Sequence, residues 1–179
     1  MSVKIVTNKA LGFTATTHLG STINLNDFKE KRIWLAFFRY ASCPLCNLHI
    51  HNIIKRFDEI EKKGLIFLPV FQSSPAEVLK YAGKDALPFQ IICDPKEELY
   101  KLYNVGNSYS GFFSFSVMTK IAAAMKNGFM PGKMQGEISR LPSELIIDQN
   151  FDIIYRYDGK DIADHPSIDM ILEKAIERF

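Results

Sequence analysis

The chain has 179 residues, 47% of them hydrophobic and 23% charged, enough apolar material for one well-buried core, so a single domain over residues 1–179 is expected. Its 22 Lys and Arg stand against 20 Asp and Glu, interleaved along the sequence, and this lacks the basic tract of a phosphate-backbone binder. Nucleic acid is therefore not an expected partner, and no window approaches the roughly 18 uninterrupted apolar residues of a membrane span.

The opening MSVKIVTNK has no apolar run followed by a small-residue cleavage site, which gives a cytoplasmic expectation. The three cysteines, two of them spaced Cys-Pro-Leu-Cys, are too few and too close for a secreted disulfide framework. In a reducing compartment such a pair is more often catalytic or metal-binding.

In chain order, residues 13–17 and 22–25 are β-prone runs around Leu19-Gly20-Ser21 and predict an N-terminal hairpin. Residues 33–38, IWLAFF, form a continuous apolar run, the pattern of a central strand buried on both faces. Pro44 suits the first turn of a helix, where its missing N–H has no intrahelical partner. Leu48, Ile53, Ile54, Phe57 and Ile60 continue an apolar stripe, with ion pairs expected from Asp58 to Lys62 and from Glu59 to Lys63, and Gly64 supplies the stop. Residues 65–71, 75–81, 89–93 and 95–103 then read as strand, helix, strand and helix with parallel strands.

Residues 144–147 and 153–157 flank Asp148-Gln149-Asn150 as an antiparallel hairpin. The last helix opens at Pro166 and gathers Ile168, Ile171, Leu172, Ala175, Ile176 and Phe179 on one face. Between these blocks, residues 106–140 break the pattern with a Gly-, Ser- and Phe-rich stretch, a helical run at 117–126 and a Gly/Pro loop at 128–136. The segment is long for a connection and is expected to be a mobile cover over the Cys43 edge, its Tyr109, Phe112, Phe113 and Phe115 forming a substrate or dimer contact.

A strand ending at Arg39 and a helix opening at Pro44 put Cys43 at the helix N-cap and Cys46 one turn on, on the same side. Unpaired N–H groups and the positive end of the helix dipole favour a thiolate there, so Cys43 is expected to be the more acidic and more exposed nucleophile. Cys46, at i+3, can resolve it by closing a disulfide. Arg39 and Arg140 are candidates to add positive potential.

A CxxC pair is also half of a common zinc site, with Cys93, His18, His49 and His51 available as further ligands, but the chain has no second tight ligand pair. The redox reading is preferred and no metal or other cofactor is expected. His49 and His51 read as surface positions on the helix, and Cys93 as a small buried hydrophobe.

The order of elements around the CxxC helix is similar to the thioredoxin fold, and Leu141-Pro142-Ser143 before ELIID resembles that fold's cis-proline segment. The blocks LNDFKEKRIWLAFFRYASCPLC, LPFQIICDPKEELYKLYNV and LPSELIIDQNFDIIYRYDG resemble the peroxiredoxin-like branch of the alkyl hydroperoxide reductase and thiol-specific antioxidant family. The resemblance implies an α/β thioredoxin-like fold: a central mixed sheet flanked by helices, an N-terminal β-hairpin and an insertion at 106–140 before the cis-Pro strand. It implies peroxide reduction or disulfide exchange by Cys43 and Cys46, with Arg39 assisting and Tyr40, Pro44, Arg140, Leu141 and Pro142 near the substrate.

Where the family carries Pro and Thr ahead of the reactive cysteine, this chain has Ala36 and Tyr40, so disulfide exchange is expected to be the faster reaction. The implied partners are a peroxide or a protein disulfide, an external dithiol reductant such as a thioredoxin-like protein or glutathione, and a second copy in a homodimer. The alternative is a non-enzymatic redox-sensing or protein-binding module whose contacts lie in the insertion.

Overall fold

The computed structural model describes residues 9–82, 87–109 and 115–176. Its centre is the predicted apolar run: strand β3 (Arg32–Phe37) follows the hairpin of β1 (Thr14–Thr17) and β2 (Thr22–Asn24) and a short 3-10 turn at Leu25–Phe28. Next come α1 (Pro44–Lys55), α2 (Phe57–Lys62), β4 (Leu65–Phe71), α3 (Pro75–Lys80), β5 (Ile92–Cys93) and α4 (Glu98–Leu102). Helix α5 (Phe115–Lys126), strands β6 (Ser143–Ile147) and β7 (Ile153–Asp158), and helix α6 (Ile168–Lys174) complete the order.

The strands make one mixed sheet in the order β2-β1-β5-β4-β3-β6-β7. Strands β3, β4 and β5 are parallel neighbours, whereas β6 runs antiparallel to β3 and β7 antiparallel to β6. The α/β architecture, the central β3 and both hairpins are as the sequence predicts. None of the described helices is long and apolar enough to cross a membrane.

Alternation along β3 sorts the core into two layers. Trp34, Ala36 and Phe38 face one side, where they join Cys46, Ile50 and Ile53 of α1 and Ile168, Ile171 and Leu172 of α6. Ile33, Leu35 and Phe37 face the other, against Leu99 and Tyr100 of α4. The β3–β6 register sets Ala36 opposite Glu144, which carries a carboxylate into the α1 layer.

Several details differ from expectation. The helix after Pro44 breaks at Arg56, whose φ of −115° and ψ of 15° close α1. Glu59 pairs with Arg56, not with Lys63, because that break turns the guanidinium toward Glu59 and toward Asp169 of α6. Helix α6 ends at Lys174, leaving Ile176 exposed, and Phe179 lies outside the described residues. Among the described residues no peptide bond is cis, which corrects the cis-Pro142 expectation. Leu141–Pro142 takes the ordinary trans form, with the Leu141 N–H donating to the Gly106 carbonyl at 3.1 Å and the Pro142 carbonyl accepting from Gly159 N–H at 2.8 Å.

Candidate active site

The site is a tied loop at the end of β3. Cys43 N–H donates to the Tyr40 carbonyl at 3.0 Å, making a turn, and Ala41 N–H donates to Ser73 Oγ at 2.9 Å across the sheet edge. Asn47 Nδ2 donates to both Ala41 O (2.8 Å) and Cys43 O (2.9 Å), so the first turn of α1 locks its own approach loop. Cys43 is the N-cap of α1, with Pro44 at the first helical position, and its Sγ accepts from Cys46 N–H at 3.4 Å. The sulfur occupies the place a Ser or Asp oxygen usually takes at a helix N-cap.

Arg39, buried beside it, points Nη1 at Cys43 Sγ from 3.6 Å and lies over the Tyr40 ring at 4.9 Å. Burial by itself pushes the Cys43 thiol up. The hydrogen bond from the Cys46 thiol, the Arg39 charge and the backbone N–H groups of Cys46 and Leu45 outweigh it and bring Cys43 from 9.0 to about 7. Cys46 goes well above 9.0, through burial and because its proton is held by the Cys43 sulfur. The order of acidity expected from the N-cap position is the order found.

The expectation of an exposed Cys43 is not met: Cys43 is 0% exposed and Cys46 1%. The end of the 106–140 segment is bonded to residues beside that turn. Ser42 Oγ donates to Lys133 O at 2.6 Å, Ser73 Oγ to Gln135 Oε1 at 2.8 Å, and Gln72 Nε2 to Glu137 O at 2.7 Å. Gly132 fits so closely that a Cβ there would lie 2.7 Å from Ser42 Cβ and 2.8 Å from Tyr81 Oη. These contacts hold residues 132–137 against Ser42, Gln72, Ser73 and Tyr81. Of the aromatics expected in the 106–140 segment, Tyr109 is exposed, while Phe112, Phe113 and the Phe115 side chain lie outside the described residues.

The other predicted site residues divide. Tyr40 is buried at the thiol turn, its hydroxyl accepting from Arg39 Nη2 at 3.4 Å, and burial pushes that hydroxyl up to about 12. Pro44 is buried at the helix start. Arg140 pairs with Glu97, donates to Val105 O at 2.7 Å and lies over the Tyr100 ring. Its guanidinium is engaged by Glu97 and Val105, with Nε also reaching Gln72 Oε1 at 3.4 Å. Pro142 is buried against Gly159, and Leu141 is half-buried next to it.

Of the alternative metal ligands, His18 accepts from Ile91 N–H at 3.0 Å and His51 packs on Phe129. Cys93 is buried, which pushes its thiol to about 12.

His49 is not the surface residue expected. One turn beyond Cys46 it stacks on His165 with centroids 4.0 Å apart, and its Nε2 lies 3.6 Å from Glu144 Oε1. His165 Nδ1 reaches the same oxygen at 2.7 Å, and Trp34 Nε1 donates to Oε2. Glu144 is 0% exposed. Burial raises its pKa, but the hydrogen bond with His165 and the nearby His49 ring hold the carboxyl at about 2, while burial and the neighbouring His49 lower His165 to about 4. The three side chains are the group among the described residues able to hold a metal ion, and neither Cys43 nor Cys46 belongs to it. A cleft of about 350 Å³ opens beside them, lined by Leu45, Asn52, Arg56, Lys120 and Ser167. Glu144, an acid inside an apolar strand pattern, was the available sequence signal; nothing local linked it to His165.

The site can therefore stabilise a thiolate next to a protonated second thiol in a dry pocket with a fixed cation, the equipment of thiol redox chemistry. Comparison with known proteins agrees. At 24% identity over 106 residues the chain is similar to Peroxiredoxin Bcp of Escherichia coli (strain K12), the match spanning 55% of this chain and 68% of the relative. Similar solved structures include Peroxidoxin BcpB from Mycobacterium tuberculosis, with TM-score 0.68, 12% identity and 93% of each chain covered. Another is the reduced 2-Cys peroxiredoxin of Plasmodium vivax, with TM-score 0.65, 19% identity, and 92% of this chain and 76% of that one covered. At these identities the structural likeness is one of fold. The AhpC/TSA family model matches residues 6–156, most of the chain, and the protein thus belongs to the AhpC/TSA family as a peroxiredoxin-like oxidoreductase of thioredoxin fold.

Proposed function

We propose that the protein reduces peroxides, with Cys43 as the attacking thiolate, Cys46 as the resolving thiol and an external dithiol as reductant. The carrying observation is the Cys43 sulfur, fully buried yet held at about 7 by Cys46 and by Arg39 at 3.6 Å. The thiolate attacks the distal oxygen of ROOH, the O–O bond breaks, and the alkoxide leaves as ROH with a proton from water. Cys43 is left as a sulfenic acid. Cys46 then attacks that sulfur, its S–H proton leaves with the sulfenic hydroxyl as water, and a disulfide closes. A dithiol reduces it by exchange and is itself oxidised.

Arg39 Nη1 donates toward the sulfur and is placed to meet negative charge developing on the peroxide oxygen. The buried Tyr40 hydroxyl, fixed by the same guanidinium, supplies an O–H where the family's Thr would stand. Burial favours the opposite of the ranking expected from the sequence. A protein disulfide must expose a fully buried Cys43 to reach it, whereas a small peroxide needs only a narrow opening. The name of the E. coli relative agrees with this order.

Stopped-flow oxidation of reduced protein by hydrogen peroxide and by a model disulfide at one pH tests the reading. Peroxide should react well above a free thiol of equal pKa. Faster reaction with the disulfide would restore exchange as the main activity. In Cys46→Ser, mass spectrometry should find one added oxygen on Cys43 after a single turnover.

A further inference from the structure

We propose that His49, Glu144 and His165 form a binding site for a divalent transition-metal ion of the zinc class, separate from the redox thiols and open toward the cleft beside α1. The proposal is independent of the peroxide chemistry. It starts from an unusual convergence: helix α1, strand β6 and the loop before α6 each send one ligating side chain to a common point, with the three ligand atoms within 4.8 Å of one another.

The distances suit an ion. Zinc–nitrogen and zinc–oxygen bonds of about 2.0–2.1 Å in a tetrahedral shell place neighbouring ligand atoms about 3.3–3.4 Å apart. His165 Nδ1 and His49 Nε2 lie 2.7 Å and 3.6 Å from Glu144 Oε1, on either side of that separation. The two rings are near parallel, 18° between planes, so a rotation of the His49 ring about its Cβ–Cγ bond turns Nε2 from stacking toward the shared point. Two imidazoles and one carboxylate are a borderline donor set, which favours zinc, cobalt, nickel or copper over magnesium or calcium.

A second observation points to a missing ligand. His49 Nε2 is buried and, at 3.6 Å from Glu144 Oε1, stands beyond hydrogen-bond reach of it, with no other partner. A buried pair made only to satisfy Glu144 needs His165 and Trp34; it leaves His49 Nε2 inside the protein facing a carboxylate oxygen already bonded by another ring. An ion gives that nitrogen its partner.

The surroundings resemble the support that metal sites use. Trp34 Nε1 donates to Oε2 and fixes the carboxylate so that Oε1 faces the two rings. Ala36, directly across from Glu144 in the β3–β6 register, is small enough to leave room above the sheet. Three protein ligands leave a fourth position, and the cleft of about 350 Å³ lined by Asn52, Lys120 and Ser167 gives water or a small anion access to it.

The test uses the full chain as the double variant Cys43→Ser, Cys46→Ser, so that the CxxC cannot itself take up metal. Calorimetric titration with zinc should give one ion per chain at micromolar affinity or tighter, and cobalt should give a visible spectrum without a sulfur charge-transfer band. His49→Gln, Glu144→Gln and His165→Ala should each weaken zinc binding by about 100-fold or more, since each removes one of three ligands. His49 lies at the edge of the cluster on a helix that Gln favours, so it keeps the test open if the Glu144 variant fails to fold. Zinc should also raise the melting temperature of the parent and not of His49→Gln. No binding at millimolar zinc, or binding and stabilisation that survive His49→Gln unchanged, would overturn the site.

Discussion

Two turns of one helix carry two polar sites of opposite construction. At the first turn of α1, Arg39, Tyr40, Cys43 and Cys46 lie within eight consecutive positions, and the sulfur is stabilised by the chain that immediately precedes and follows it. One turn on, His49 meets Glu144 and His165, which are nearly a hundred or more residues away in sequence and are brought in by the β3–β6 register and the approach to α6. Both sites bury an anion. The first holds it with local N–H groups and one cation, so its chemistry should respond to local changes and tolerate distant ones. The second depends on correct sheet pairing, so it should couple to global stability.

The sharpest way to break this contrast is Cys43→Ser, which should reduce peroxide consumption to the background of buffer and reductant while leaving the urea midpoint nearly unchanged. Residual turnover would move the attacking group to another thiol. Trp34→Phe should do the reverse. Removing a donor from the buried Glu144 carboxylate should cost about 2 kcal/mol in urea unfolding, with the pH profile of Cys43 alkylation unmoved. A shift of that profile would mean the two sites are not independent.

Arg39→Met sharpens the local side of the comparison. In the parent, the oxidation rate should rise about tenfold per pH unit up to about 7 and then level, because only the thiolate attacks. Without the guanidinium the Cys43 pKa rises, the plateau moves to higher pH, and at neutral pH the rate falls by about fivefold for a shift of about one unit. Thiolate absorbance in the ultraviolet measures the shift directly.

Gly132→Ala tests the cover. Its Cβ would meet Ser42 Cβ at 2.7 Å, so residues near 132 must move off the thiol turn, and a bulky aromatic disulfide should react with Cys43 severalfold faster. Unchanged reactivity would mean that the cover already opens faster than the reagent attacks. The smallest effect belongs to Arg56→Ala: its pairs with Glu59 and Asp169 are solvent-screened, and the urea midpoint should barely change.

The sequence by itself determined what depends on near neighbours and on period. The apolar run at 33–38 predicted the central strand, Pro44 the helix start, and the Cys43 to Cys46 spacing the N-cap pair with the lower pKa on Cys43. These follow from backbone geometry over a few residues, which any local reading contains. The tertiary structure decided the rest. It buried Cys43, tied the adjacent Ser42 to a segment some ninety residues later, took Arg140 to Glu97, kept the Leu141–Pro142 bond trans and turned His49 inward to Glu144 and His165. Each of these outcomes depends on which distant groups the sheet register and helix packing bring within hydrogen-bond reach, and that is a property of the assembled core, with no counterpart in the spacing of residues along the chain.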